Sequence, residues 1–235
     1  MIEIIAFDAD DTLWHNEHFY SETKKKFEKI ISKYTGNDRR VDYLDKLEEK
    51  NIAYYGYGIK SFTLSMIEAA IEMTAGNISG KDIHHILQLS KEMLDQDLHL
   101  LDGVEKTISA LSERFPLMII TKGDLFEQHR KVLRSGIADY FEYVEVVAEK
   151  TVDVYRALLH RYRITPEHFL MIGNSLRSDI QPLVQLGAQA VYVPYATTWA
   201  HEFKLEEQLE SHQYFEVARI DEVISLIQNI KADLS

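Results

Sequence analysis

Cysteine is absent from this 235-residue chain, which excludes disulfides, thiolate zinc sites and cysteine nucleophiles. Basic residues are short against acidic ones: 26 Lys and Arg stand against 38 Asp and Glu, a formal charge of −12. Such a balance leaves no basic stripe able to release counterions from phosphates, so no nucleic-acid partner is expected. No apolar run approaches the ~20 residues needed to span a bilayer. The opening Met1-to-Asp11 stretch has no basic segment, and its apolar run is too short for a secretory signal. A cytoplasmic protein without a membrane partner is the expectation. A Gly-x-x-x-x-Gly-Lys phosphate loop is also missing, and Gly56-Tyr57-Gly58 lacks the third glycine and preceding strand of a dinucleotide fingerprint.

What is present is an alternation. Short, nearly continuous apolar runs read as buried strands: Ile2 to Phe7, Leu117 to Ile120, Tyr143 to Ala148, Phe169 to Ile172 and Ala190 to Val193. Helical patterns separate the later four. Asp124 to Ser135 stops at Gly136, Ile180 to Leu186 stops at Gly187, and Val154, Leu158, Leu159 and Tyr162 share a stripe. Strand–helix alternation of this kind predicts an α/β fold: a Rossmann-like, doubly wound parallel sheet. Between about Trp14 and Leu98 only helical spacing appears, as in Phe27, Ile30, Ile31, Tyr34 and in Phe62, Met66, Ala69, Met73, with a capping-box spacing at Ser79 to Asp82. The expected organisation is one catalytic core, residues 1–13 and 99–235, interrupted by an inserted α-helical cap domain, residues 14–98. The charge is uneven between them. The core has 14 basic against 24 acidic residues, net −10, and the first 13 residues hold Glu3, Asp8, Asp10 and Asp11 with no base.

In a doubly wound sheet ligands bind outside the carboxyl ends of the strands. The residues just beyond the strands are Asp8, Asp10, Asp11 and Thr12; Thr121, Lys122 and Gly123; Lys150; and Gly173, Asn174, Ser175, Ser178 and Asp179. Converging carboxylates repel unless a cation lies between them, and hard oxygen donors favour Mg²⁺. A carboxylate beside such a cation can attack phosphorus and form an aspartyl-phosphate. An ammonium and a hydroxyl would stabilise charge on the transferring phosphoryl oxygens, and Asp10 could give and take the proton.

These residues carry a resemblance to the haloacid dehalogenase-like hydrolases. Asp8-Ala-Asp10-Asp-Thr12-Leu13 after an apolar strand resembles the family's first motif, and Ile119-Ile120-Thr121-Lys122-Gly123 resembles the second. Lys150-Thr151 is similar to the third, with threonine where proline is usual, and Gly173-Asn174 with Asp179 is similar to the fourth. The helical interval after the first motif is similar to the family's cap. The resemblance implies Asp8 as nucleophile and metal ligand, and Asp10 as acid/base and as ligand through its carbonyl. It implies Thr121, Lys122 and Lys150 as phosphate-binding residues, and Asp179 with Asn174 as the remaining Mg²⁺ ligands. Asn174 departs from the usual acid and removes one negative charge. Lys122 stands where asparagine is frequent, and its side chain either points into the site or into solvent.

The activity implied is magnesium-dependent hydrolysis of a phosphate monoester of a small phosphorylated metabolite through an aspartyl-phosphate. A phosphosugar mutase shares Asp8 and Asp10. A 2-haloacid dehalogenase needs no proton donor and lacks the second acid, so Asp10 weighs against it. Asn174 leaves open a non-catalytic binding member of the fold. Tyr57 and Lys60, at a turn inside the helical interval, are candidates for substrate specificity. Trp199 and His201, after Pro194, have no assigned place, and the oligomeric state is not legible.

Overall fold

The computed structural model describes residues 2–36, 42–195 and 213–232; Trp199 and His201 lie outside the described residues. The chain divides into two compact units, Met1–Glu17 with Leu98–Ser235, and His18–Asp97. The sequence placed this boundary at Trp14. Trp14 is instead wholly buried in the first unit's core.

The first unit is a parallel sheet built from β1 (Ile4–Phe7), β2 (Leu117–Lys122), β3 (Tyr143–Val147), β4 (Phe169–Gly173), β5 (Gln189–Tyr192) and β6 (Phe215–Glu216). Their order is β3-β2-β1-β4-β5-β6, with every neighbouring pair parallel. β1 lies between β2 and β4, so the winding reverses there, the place where a doubly wound sheet opens a crevice at its carboxyl edge.

Alternate residues of each strand feed opposite layers. Ile5, Phe7, Leu117, Ile119, Leu170 and Ile172 pack with Val104, Ile108 and Leu111 of α5 (Val104–Ser112), Val132 of α6 (Leu125–Arg134) and Val223 of α9 (Val223–Ala232). Ile4, Ala6, Met118, Ile120, Phe169 and Met171 pack with Tyr155, Leu158 and Leu159 of α7 (Val152–Tyr162) and Leu183 of α8 (Gln181–Leu186). Burial on both faces is why these strands read as unbroken apolar runs.

Two elements differ from the sequence expectation. The helix expected over Ile180 to Leu186 is preceded by a π-helical turn, Leu176–Ile180, which carries Asp179. Such wide turns collect at functional sites because they re-aim one side chain. β6, only two exposed residues beside β5, is too short to produce an apolar run and was not anticipated.

The second unit is helical throughout its described residues: α1 (Glu17–Thr35, which starts in the first unit), α2 (Tyr43–Tyr55), α3 (Ile59–Met73) and α4 (Gly80–Asp95). It has its own core of Phe27, Ile30 and Ile31, Leu44 and Leu47, Phe62 and Met66, and Ile86 and Leu89. Polar ties join the helices. Asn51 donates to Ser65 Oγ at 3.2 Å and to Glu68 at 2.7 Å, and Thr63 donates to Ser90 Oγ at 2.6 Å. No helix among the described residues is long and apolar enough to cross a membrane.

Candidate active site

Asp8 is the first residue beyond β1, and its N–H donates to the Ile172 carbonyl at 2.9 Å, which fixes it against the end of β4. Its carboxylate is buried. Oδ2 accepts from Thr12 Oγ1 at 3.1 Å, and Oδ1 accepts from the Lys150 ammonium. Lys150 is buried as well and donates to Asp179 Oδ1 at 2.7 Å. Thr12 Oγ1 lies 3.2 Å from Asn174 Oδ1, so this one hydroxyl bridges the first and fourth loops. The chain therefore brings Asp8, Thr12, Lys150, Asn174 and Asp179 together.

Asp179 is held in place by the backbone. Its Oδ2 accepts from the Ser175 N–H at 3.0 Å. A Cβ placed on Gly173 would lie 2.3 Å from the same oxygen, an overlap that only glycine avoids. Burial pushes the Asp179 carboxyl up to about 7; Lys150 opposes this and Asp8 adds to it. Burial pulls the Lys150 ammonium down, but the Asp179 and Asp8 carboxylates more than reverse that and leave it above the ordinary lysine value. Thr121 is buried near the end of β2, paired in register with Val146. Lys122, half-buried, donates to Ser178 Oγ at 3.0 Å, so its ammonium reaches the loop of Asp179.

The loop after Asp8 is tightly wound. The N–H groups of Thr12, Leu13 and Trp14 all converge on the Ala9 carbonyl, and Asp11 takes a left-handed backbone with φ 62°, a conformation short polar residues tolerate best. Asp11 accepts from the N–H groups of Asn16 and Glu17 at 2.8 and 3.0 Å, capping the start of α1. Burial nonetheless raises its carboxyl to about 7.

Asp10 has a different set of partners. Trp14 Nε1 donates to Oδ1 at 2.7 Å, Gln128 Nε2 to Oδ2 at 2.9 Å, and Lys131 Nζ lies 3.0 Å from both oxygens. Gln128 and Lys131 sit on α6, and the sequence reading missed them. No signal in the sequence marks them, because α6 departs from the usual amphipathic partition. Leu125, Phe126 and Leu133 are exposed while Glu127 and Gln128 are buried.

No three His, Cys, Asp or Glu side chains among the described residues form a metal-holding set. The site's donors are instead two carboxylates, Asp8 and Asp179, bridged by one ammonium, with the Asn174 amide oxygen tied to the same hydroxyl as Asp8. All are hard oxygens, and two carboxylates with vacant lone pairs are what Mg²⁺ takes while keeping several waters. The residues present fit that ion. Tyr57, half-buried, and Lys60, exposed in the first turn of α3, belong to the helical unit.

The family model for haloacid dehalogenase-like hydrolases matches residues 2–187. A crystal structure of a haloacid dehalogenase-like family hydrolase from Xanthomonas campestris is 34% identical with TM-score 0.87, covering 99% of this chain and 93% of that one. Glyceraldehyde 3-phosphate phosphatase of Pyrococcus abyssi is 28% identical over 208 residues, 83% of this chain and 82% of its own. The protein of the same name from Pyrococcus furiosus is 31% identical over 104 residues, 42% of this chain and 43% of its own. The fold is also similar to that of the HAD-hydrolase YfnB of Bacillus subtilis, solved bound to magnesium, at 17% identity and TM-score 0.65, with 96% of this chain and 98% of that one covered.

Proposed function

We propose that this chain, which belongs to the haloacid dehalogenase-like hydrolases, hydrolyses the phosphate monoester of a small phosphorylated metabolite. The observation that carries the reading is the buried Asp8 carboxylate, held by Lys150 and Thr12 beside a second buried carboxylate, Asp179. A dehalogenase would need the nucleophile but not Asp10. The names of the two Pyrococcus relatives make short phosphorylated aldehydes the first substrates to try.

In this reading an Asp8 carboxylate oxygen attacks phosphorus while the bond from phosphorus to the leaving oxygen breaks. Asp10, as the acid, gives its proton to that oxygen. Asp10, now a carboxylate, then takes a proton from water as the water oxygen bonds phosphorus and the Asp8–phosphorus bond breaks, releasing inorganic phosphate. Thr121, Lys122 and Lys150 bind the non-bridging phosphoryl oxygens, where charge builds up. Asp8, Asp179, the Asn174 amide oxygen and the Asp10 carbonyl would hold Mg²⁺. That ion supplies charge neutralisation at the phosphoryl group. The helical unit is read as the cap that its place between β1 and β2 suggests, with Tyr57 and Lys60 sorting substrates.

The test is a panel of phosphorylated metabolites with Mg²⁺ present, assayed for free phosphate, with Asp8→Asn as the control. The variant is expected to lose more than about 10³-fold in rate with its melting unchanged. Full activity in Asp8→Asn would overturn the assignment, and an isomerised sugar phosphate without free phosphate would replace it with a mutase.

A further inference from the structure

Asp10 and Asp8 are two residues apart, yet their carboxylates share no hydrogen-bond partner. An ionised carboxylate offers about four acceptor positions. On Asp10 both oxygens have partners: Oδ1 accepts from Trp14, Oδ2 from Gln128, and Lys131 Nζ lies 3.0 Å from each. Two of these three partners come from one buried face of α6.

Both are themselves fixed. Lys131 donates to Asn16 Oδ1 at 2.8 Å and lies 3.3 Å from Glu127 Oε1, with only 15% of its side chain exposed. Burial pulls its ammonium down, and Asp10 and Glu127 reverse this and hold it above the ordinary lysine value. Gln128 lies beneath the turn after β2. Its Nε2 also reaches the Lys122 carbonyl at 3.3 Å, and a Cβ on Gly123, which has φ 142°, would come within 3.0 Å of that nitrogen. The amide therefore joins Asp10 to the end of β2, which bears Thr121 and Lys122. Burying an ammonium in this way is costly unless it is paired and hydrogen-bonded, as Lys131 is.

We propose that Lys131 and Gln128 are positioning residues for Asp10, which hold its carboxyl group between the loop after β1 and the end of β2, where it serves the leaving oxygen. The inference rests on the phosphatase reading above. The placement of the Asp10 carboxyl group matters while a proton passes to the leaving oxygen, a contact made in the transition state and not in binding the ester. Interactions that grow toward the transition state raise the rate rather than the affinity. The benefit is then largest for leaving groups that must be protonated.

The experiment compares Lys131→Met combined with Glu127→Gln (which leaves no stranded carboxylate), Gln128→Leu and Lys131→Arg with the unmodified protein. Each is assayed in Mg²⁺ on glycerol 3-phosphate, whose alkoxide needs a proton, and on 4-nitrophenyl phosphate, whose phenolate does not. The double variant is expected to lose about 30- to 100-fold in kcat/KM on the first and about threefold or less on the second. Gln128→Leu should change in the same direction, and Lys131→Arg should recover most of the loss. Equal losses on both esters, or a rise in KM alone, would overturn the proposal. The Trp14 indole N–H resonance, which reports its bond to Asp10, should move upfield in the double variant and in Gln128→Leu and stay in place in Lys131→Arg. An unmoved signal in a working enzyme overturns the positioning alone. Failure of the unmodified protein on every phosphate ester strikes the phosphatase reading instead.

Discussion

A methyl group at position 173 would occupy the space of the Asp179 carboxylate: the built Cβ lies 2.3 Å from Oδ2 and 2.4 Å from Cγ. Asp179 in turn is held by the Ser175 N–H and by Lys150, so it has no slack to give. Gly173→Ala should therefore displace the carboxylate from Lys150 and lower turnover by about 100-fold, the cost of an ångström-scale misplacement in a site. Mg²⁺ affinity by calorimetry should fall in parallel. An alanine variant with unchanged turnover and unchanged Mg²⁺ binding would mean that Asp179 sits elsewhere in the working protein. Residues of this kind were legible in the sequence for a physical reason. A doubly wound sheet delivers the residues just past each strand to one edge, so Asp8, Lys150, Asn174 and Asp179 could be grouped by position alone. The engagement of Asp10 could not. Its partner Gln128 is 118 residues away, on a helix whose polar residues read by default as solvent-facing.

At the scale of single elements, α6 and α4 show why periodicity succeeds in one place and misleads in another. Both begin with a side-chain cap, Asp124 accepting from the Glu127 N–H at 3.0 Å and Ser79 from the Asp82 N–H at 3.1 Å, and both caps stand out in sequence. In α4 the apolar stripe behind the cap is the buried one. In α6 Leu125, Phe126 and Leu133 face outward, Val132 is buried in the core, and Gln128 and Lys131 face Asp10, because the site's chemistry overrides the usual partition. The cap of α4 also carries a testable pH dependence. Asp82 accepts from Lys33 Nζ at 2.7 Å, from Tyr34 and from Ser79 Oγ at 2.9 Å, and these bonds hold its carboxyl well below the ordinary value of 3.8. A depressed carboxyl contributes stability above its unfolded value and loses that contribution as pH falls through its folded value. The melting difference between the unmodified protein and Asp82→Asn should hold from pH 7 to pH 5 and shrink steadily below about pH 4. A difference independent of pH would show that the ionised form contributes nothing. Ser79→Ala, which removes the cap itself, should cost about 1 kcal/mol at neutral pH.

For the molecule as a whole, the informative fact is that each unit has its own hydrophobic core. Among the described residues, the two layers that cover the sheet draw none from 18–97, and the helical core draws none from outside it. The first unit also closes the gap where the helices are inserted. Trp14 bridges Leu100, the Leu101 N–H donates to the Leu13 carbonyl at 3.0 Å, and the His15 N–H donates to the His99 carbonyl at 3.1 Å. The outgoing and returning chain are thus paired by backbone bonds that involve no residue of the insertion, and only a short connection is needed to join them. Replacing residues 18–97 with a short Gly-Ser linker should give a protein that melts in one cooperative step and keeps its near-ultraviolet circular dichroism. Loss of cooperativity with dye binding would show that the sheet unit depends on the helices. The same shortened chain tests the assignment of Tyr57 and Lys60, since both are removed while Asp8, Asp10, Thr121, Lys122, Lys150 and Asp179 remain. If substrate selection resides in the helical unit, the preferences among phosphate esters flatten in the shortened chain relative to the full one. If the ranking of esters survives intact, selection resides in the sheet unit, and the exposed Leu125 and Phe126 at the start of α6 become the next residues to change.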